Sequence, residues 1–208
     1  MTAAASSELT ARSPGRVLVV CTGNICRSPY LEHLLRDGMD RRWGPGRMMV
    51  ASAGLRGLAG EPMFGPAAAQ LRARGLEAHG FRARRLTSQD VVEADLVLTV
   101  TREHRAAVLR MAPTALRRTV TPAEIALAVD SVPRVEAATP DLSGPVRRLA
   151  GAVVSARPSI SALPQADLDI DDPYGRSEEA YVTMAEQVER VLPGLLDALS
   201  PAGYAPVE

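Results

Sequence analysis

The stretch that most constrains what this chain can fold into is Arg16-Val17-Leu18-Val19-Val20 followed at once by Cys21-Thr22-Gly23-Asn24-Ile25-Cys26-Arg27-Ser28-Pro29. A β-branched apolar run, a turn containing Gly and Asn, and then the helix-compatible Tyr30-Leu31-Glu32-His33-Leu34-Leu35-Arg36 spell strand, loop, helix. Such a loop turns successive N–H groups and the positive end of a helix toward one point, which is a way to hold phosphate without a metal. The spacing adds chemistry. A thiol at the first loop position and a guanidinium six residues later meet across a loop that curls around a tetrahedral oxyanion. Cys21 is the candidate nucleophile and Arg27 the fork for the phosphoryl oxygens. The converging N–H groups, the helix terminus, Arg27 and the Ser28 hydroxyl are all expected to favour the thiolate. Gly23 is expected to supply backbone conformations closed to other residues, and Asn24 to adopt left-handed geometry while its amide ties the loop together.

The run Val20 to Pro29 resembles the signature of the low-molecular-weight protein tyrosine phosphatases. A bare Cys-x5-Arg is common, whereas these consecutive positions between a strand and a helix are specific. The alternative for the two cysteines, a buried pair or half a metal site, does not account for the interleaved Gly-Asn and Arg-Ser. The resemblance extends to Ser52-Ala53-Gly54, which in that family closes one wall of the site, to Ala83-Arg84-Arg85-Leu86, and to Ala94-Asp95-Leu96-Val97-Leu98. Phe81 stands where the family often has His. From the loop, Thr22, Gly23, Asn24, Ile25, Cys26 and Ser28 are implied to bind the substrate's phosphate.

The chemistry of such an enzyme requires a separate acid for the leaving oxygen. The acidic stretch Asp167-Leu168-Asp169-Ile170-Asp171-Asp172-Pro173-Tyr174-Gly175 supplies candidates, although Asp-Pro also simply ends loops. Asp171 competes, but Asp172 directly precedes Pro173, whose fixed backbone aims the preceding carboxyl. Asp172-Pro173-Tyr174 matches the family element in which that Asp is the general acid and base. Tyr174 is expected to wall the ring of a phosphotyrosine, with Tyr30 and Trp43 as further wall candidates. The three histidines, His33, His79 and His104, are read as surface or packing residues.

The remainder of the 208 residues alternates strand-like and helix-like segments. The fold class expected is α/β, a four-stranded parallel sheet flanked by helices on both faces, with the phosphate-binding loop after strand 1. Strands are expected at 16–20, 47–51, 94–100 and 116–120. Helices are expected at about 28–39, 66–74 ahead of Gly75, a short turn from Thr87 to Glu93, 101–111, 122–129, 142–156 and 177–199. Pro193 is expected to kink or divide the last of these. Residues 1–14 read as a disordered leader, 15–200 as the phosphatase domain and 201–208 as a flexible tail. The Pro-, Ala- and Arg-rich region 131–166 is longer than the family usually is here; a lid, an interface and solvated filler all fit it.

Lys and Arg number 24 and Asp and Glu 24, so net charge points to no nucleic-acid or anionic-membrane partner. Two cysteines, both in one loop, suggest a reducing, cytoplasmic compartment rather than a disulfide framework. No metal and no cofactor is called for. The function implied is hydrolysis of phosphotyrosine in proteins through a cysteinyl-phosphate, the partner in bacterial relatives being a tyrosine kinase or its targets. An arsenate reductase would need further cysteines. A protein-arginine phosphatase shares the loop but commonly carries Thr at the position of Ile25. A non-catalytic phosphate-binding module would need neither nucleophile nor acid. The sequence names neither the physiological substrate nor the oligomeric state.

Overall fold

The structure, a computed structural model, describes residues 14–132, 141–160 and 169–201. Its four strands are β1 (Gly15–Cys21), β2 (Met48–Gly54), β3 (Leu96–Thr99) and β4 (Thr119–Val120), all parallel in the order β2-β1-β3-β4. The helices are α1 (Arg27–Trp43), α2 (Gly65–Arg72), α3 (Ser88–Glu93), α4 (Arg102–Met111), α5 (Pro122–Ala128), α6 (Ser143–Ile160) and α7 (Glu178–Ala198). The expected α/β architecture is therefore the one observed.

Alternation along β1 sends Val17 and Val19 to one face of the sheet and Leu18 and Val20 to the other, all nearly inaccessible. The first face carries the larger core, where these side chains meet Leu31, Leu35, Leu149, Val153, Met184 and Val188 of α1, α6 and α7. The second face is closed by Val91 of α3 and Val108 of α4. A parallel sheet covered on both sides needs such near-continuous apolar strands. Strand order reverses direction between β1 and β3, so a crevice opens at their carboxyl ends.

Several expectations are corrected. The fourth strand is not 116–120: Pro113 starts a 3-10 helix that runs to Arg118, and only Thr119 and Val120 pair with β3. Proline at the first position favours that turn, and Leu116 is half exposed, so it is not a strand position of the core. Pro193 does not divide α7, which continues to Ala198. Around it, Gly194 lets α7 approach α5 so closely that a Cβ there would lie 2.9 Å from Ala126 Cα. Within the region 131–166, residues 143–160 form one helix whose Val146, Leu149, Ala150, Val153 and Ile160 belong to the main core. That part is neither lid nor solvated filler. Residues 133–140 and 161–168, the leader before Pro14 and the tail beyond Pro201 lie outside the described residues.

Candidate active site

The loop between β1 and α1 is held open by its carbonyl groups. Cys21 O accepts from Leu55 N at 2.9 Å, Thr22 O from Arg56 N at 2.9 Å, Gly23 O from Leu58 N at 3.1 Å and Ile25 O from Phe64 N at 2.8 Å. In a trans peptide the next N–H points opposite to the carbonyl. Tying these carbonyls outward to 55–64 thus turns the N–H groups of Thr22, Gly23, Asn24 and Cys26 to the opposite, inner side of the loop. Asn24 N already donates to Cys21 Sγ at 3.3 Å.

Asn24 is the one non-glycine residue with positive φ among the described residues, at 59°, as its sequence position suggested. Its wholly buried side chain spends every polar atom. Nδ2 donates to Ser28 Oγ at 3.0 Å and to Ser52 Oγ at 2.7 Å, and Oδ1 accepts from Arg84 N at 2.9 Å. Ser28 Oγ, which accepts from Asn24, also lies 2.9 Å from Cys21 Sγ, and its hydroxyl is free to donate to the sulfur whenever that is a thiolate. Ser52 in turn donates to buried Glu32 at 2.5 Å. A polar chain therefore runs from the thiol into the protein through Ser28, Asn24, Ser52 and Glu32.

Gly23 does not adopt the conformation expected of it: its φ is not positive, and an added Cβ would make only an ordinary 3.5 Å contact. The steric demand falls instead on Gly54, where a Cβ would lie 2.5 Å from Thr22 O and 3.0 Å from Asn24 N.

Arg27, buried to 5% exposure in the first turn of α1, points its Nη2 to Asp172 Oδ2 at 2.6 Å and Nη1 to Ile170 O at 3.4 Å. Ile170 N is bonded to Val100 O at the end of β3, which docks the acidic stretch beside the loop. Tyr174 N donates to Asp172 Oδ1 at 3.2 Å and fixes the carboxyl's other oxygen. Asp171 faces elsewhere, exchanging hydrogen bonds with Gln187 of α7. Asp169 pairs with Arg102.

Cys21, Thr22, Gly23, Ile25, Cys26, Arg27, Asp172 and Tyr174 line one cavity of about 240 Å³, joined there by Arg56 and Leu58. Of the sequence-predicted site residues, Asn24 and Ser28 stand behind the wall as supports. Tyr174, 56% exposed, stands at the mouth with its ring edge-on to Phe64 at 5.4 Å, and Phe64 stacks on Tyr181 at 5.9 Å. Tyr30 and Trp43 are not wall residues. Tyr30 is buried with its hydroxyl on Glu189, and Trp43 ends α1 with its indole N–H on Leu199 O.

His104 was not legible as a site residue. In the first turn of α4 it sits between two hydroxyls, Nε2 2.9 Å from Thr22 Oγ1 and Nδ1 2.5 Å from Thr101 Oγ1. Burial, then the nearby Arg27 charge, lowers its pKa to about 4, against the opposing pull of Asp172 and Asp169. A neutral ring thus braces the loop at Thr22. Burial first, then Cys21 and Asp172, pushes the Cys26 thiol up to about 12, so it stays protonated. Among the described residues no group of three His, Cys, Asp or Glu is placed to hold a metal ion.

A thiol, a buried guanidinium and a carboxyl meet at one cavity, at the carboxyl end of β1. Residues 16–147 match the family model of low molecular weight phosphotyrosine protein phosphatases, and the chain belongs to that family. It is 42% identical over 97 residues to the Escherichia coli K12 low molecular weight protein-tyrosine-phosphatase Etp, covering 47% of this chain and 62% of that one. It is 40% identical over 98 residues to Wzb of Salmonella typhi, again 47% and 62%. The chain thus matches less than two thirds of the length of these curated relatives. The fold resembles that of the Erwinia amylovora tyrosine phosphatase AmsI, with a TM-score of 0.65 and 24% identity over 90% of this chain and 94% of that one. Asp172 lies beyond the family match; the docking of Ile170 on Val100 is what brings it to the loop.

Proposed function

We propose that this chain is a protein tyrosine phosphatase of the cysteine-dependent kind. The observation that carries the reading is the joint placement of Cys21, Arg27 and Asp172 on one cavity whose mouth bears Tyr174. Cys21 attacks phosphorus in line with the phenolic oxygen, the P–O bond breaks, and Asp172 protonates the departing phenolate. The cysteinyl-phosphate is then opened by water, with Asp172 taking the water's proton and Cys21 leaving as thiolate. Arg27 and the inward N–H groups stabilise the equatorial oxygens in both steps, which is where most phosphoryl-transfer catalysis lies. Phosphate entering the cavity competes with Asp172 for Arg27.

Thr22, Gly23, Asn24, Ile25, Cys26 and Ser28 form or support the cradle. Tyr174, backed by Phe64 and lining the cavity together with Leu58, stacks on the substrate ring. A rigid aryl side chain carries its phosphate from such a mouth to the floor. The partner is a phosphotyrosine-bearing protein, a bacterial tyrosine kinase or its targets, and two reduced cysteines suit a cytoplasmic setting. No described helix is long and apolar enough to cross a membrane.

The arginine-phosphatase alternative turns on Ile25, a buried wall residue of the cavity. Its side chain offers no hydrogen bond to a guanidinium nitrogen, and losing a designed polar partner discriminates strongly. The expected result is turnover of an aryl phosphate unaffected by chelator, and a higher kcat/KM on a phosphotyrosine peptide than on its phosphoarginine counterpart, with Ile25→Thr shifting toward phosphoarginine. Wild-type preference for phosphoarginine would overturn the substrate assignment.

A further inference from the structure

Beside the cavity lies a second, larger groove of about 610 Å³ that shares Thr22, Arg27, Arg56 and Asp172 with it and continues along α4. Arg56, Arg85 and Arg110 line it from three separate segments, and all three are exposed. Among the described residues none of these guanidinium groups makes a hydrogen bond or an ion pair. Other arginines are paired, Arg84 with Asp90, Arg105 and Arg157 with Glu124, Arg147 with Asp95, and those that are not, such as Arg72, Arg117 and Arg190, do not line the cavity or the groove. The groove's own carboxylates are Asp172, already held by Arg27, and Glu103. In a chain whose charges sum to zero, this is a local positive excess at the edge of the reactive cavity.

We propose that this groove is a substrate subsite that takes the acidic segment flanking the phosphotyrosine of a protein substrate. The inference rests on the phosphatase reading for the position of the phosphotyrosine. A peptide whose phosphate sits over Cys21 has a way into the groove past Arg56, which borders both spaces. Carboxylates on its next residues then meet Arg85, beside Gly54 at the end of β2, and Arg110, in the last turn of α4. Each exposed pair contributes little alone, so the selection arises from several together and is sensitive to salt. Glu103 on the same wall disfavours no arginine partner but repels a second run of acid. The groove thus suits a short acidic flank, whereas a basic flank meets mostly like charge.

The test measures binding of the Cys21→Ser protein to three phosphotyrosine peptides whose flanking positions are Glu, Gln or Lys, by fluorescence anisotropy. Expected is roughly tenfold tighter binding of the Glu peptide than of the Gln peptide at low salt. The difference should collapse near 1 M salt, where the screening length is about 3 Å. Adding Arg85→Gln and Arg110→Gln should shrink it, and Arg85→Glu with Arg110→Glu should invert the order in favour of Lys. Equal binding of the three peptides, or an undiminished Glu preference in the charge-reversed protein, overturns the subsite. Hydrolysis of a small aryl phosphate by the wild-type chain is read separately. Its absence beside a retained Glu preference would sink the phosphatase reading and leave the groove standing.

Discussion

Arg27 holds Asp172 at 2.6 Å across 145 residues of sequence. The guanidinium is buried, while the carboxylate side chain is 46% exposed. The pair joins the two parts of the proposed reaction, phosphate binding and proton transfer, at one edge of the cavity. Cys21→Ser should therefore abolish turnover while keeping phosphate binding, because Arg27 and the loop donors remain. Asp172→Ala should cost about 10²–10⁴ in rate on an alkyl-substituted phenyl phosphate and far less on a nitrophenyl phosphate, whose leaving group needs little protonation. Equal losses on both substrates would remove the acid role from Asp172.

The second prediction concerns Asn24, which combines positive φ with three hydrogen bonds. Asn24→Ala both strains the backbone and strands Ser28, Ser52 and Arg84 N, and should cost roughly 3 kcal/mol of stability along with most activity. Asn24→Gly accepts the conformation but not the hydrogen bonds, so it should recover part of the stability and little of the rate. Near-complete rescue of kcat by Gly would show that the loop needs the backbone shape and not the amide.

A third follows from His104, whose pKa falls from 6.5 to about 4 on folding. A depressed pKa means that the unfolded chain binds the proton first. The stabilising effect of the neutral ring is complete above about 6.5 and is lost as pH falls toward about 4. His104→Gln should flatten this part of the stability profile, measured by urea unfolding between those limits, and loosen Thr22. A parent and variant with parallel profiles would show that the ring does not titrate on unfolding in this range.

Much of this site is legible in the sequence. The β1–loop–α1 unit is local: its strand pattern, its turn residues and the thiol-to-guanidinium spacing all sit within Arg16 to Arg36, and local geometry follows local sequence. Asp172 was legible through Pro173 and its chemistry. What escaped is non-local. Arg56 and Leu58 carry no motif, and they reach the cavity, with Phe64 behind Tyr174, only because the backbone of 55–64 ties itself to the loop carbonyls. His104 looked like any helical histidine until its ring met Thr22, 82 residues away. That Gly54 and not Gly23 is the sterically constrained glycine is also invisible in the sequence, since a glycine's need for space depends on what crosses it.

The fourth prediction concerns oxidation. Cys26 lines the same cavity as Cys21, both are free thiols, and its protonated state makes it a slow nucleophile. Peroxide should convert Cys21 to a sulfenic acid that Cys26 traps as a disulfide with loss of water. After a peroxide pulse, thiol reductant should restore more activity to the wild type than to Cys26→Ser. Equal recovery would leave Cys26 as a packing residue only.

The helix α6 has a consequence for how this chain tolerates change. Its first turns sit at the amino ends of the strands, where Ser143 and Arg147 bind Asp95 and Val146 packs on Gly15. Its later turns climb past Thr119 and Glu124, and its 18 residues rise about 27 Å. The excursion that leaves the reactive edge with α5 is thereby carried back up to it before Asp169. A detour that leaves from Thr119 and Val120 and comes back past them adds mass to the protein without moving its acid, and Asp172 stays within 2.6 Å of Arg27.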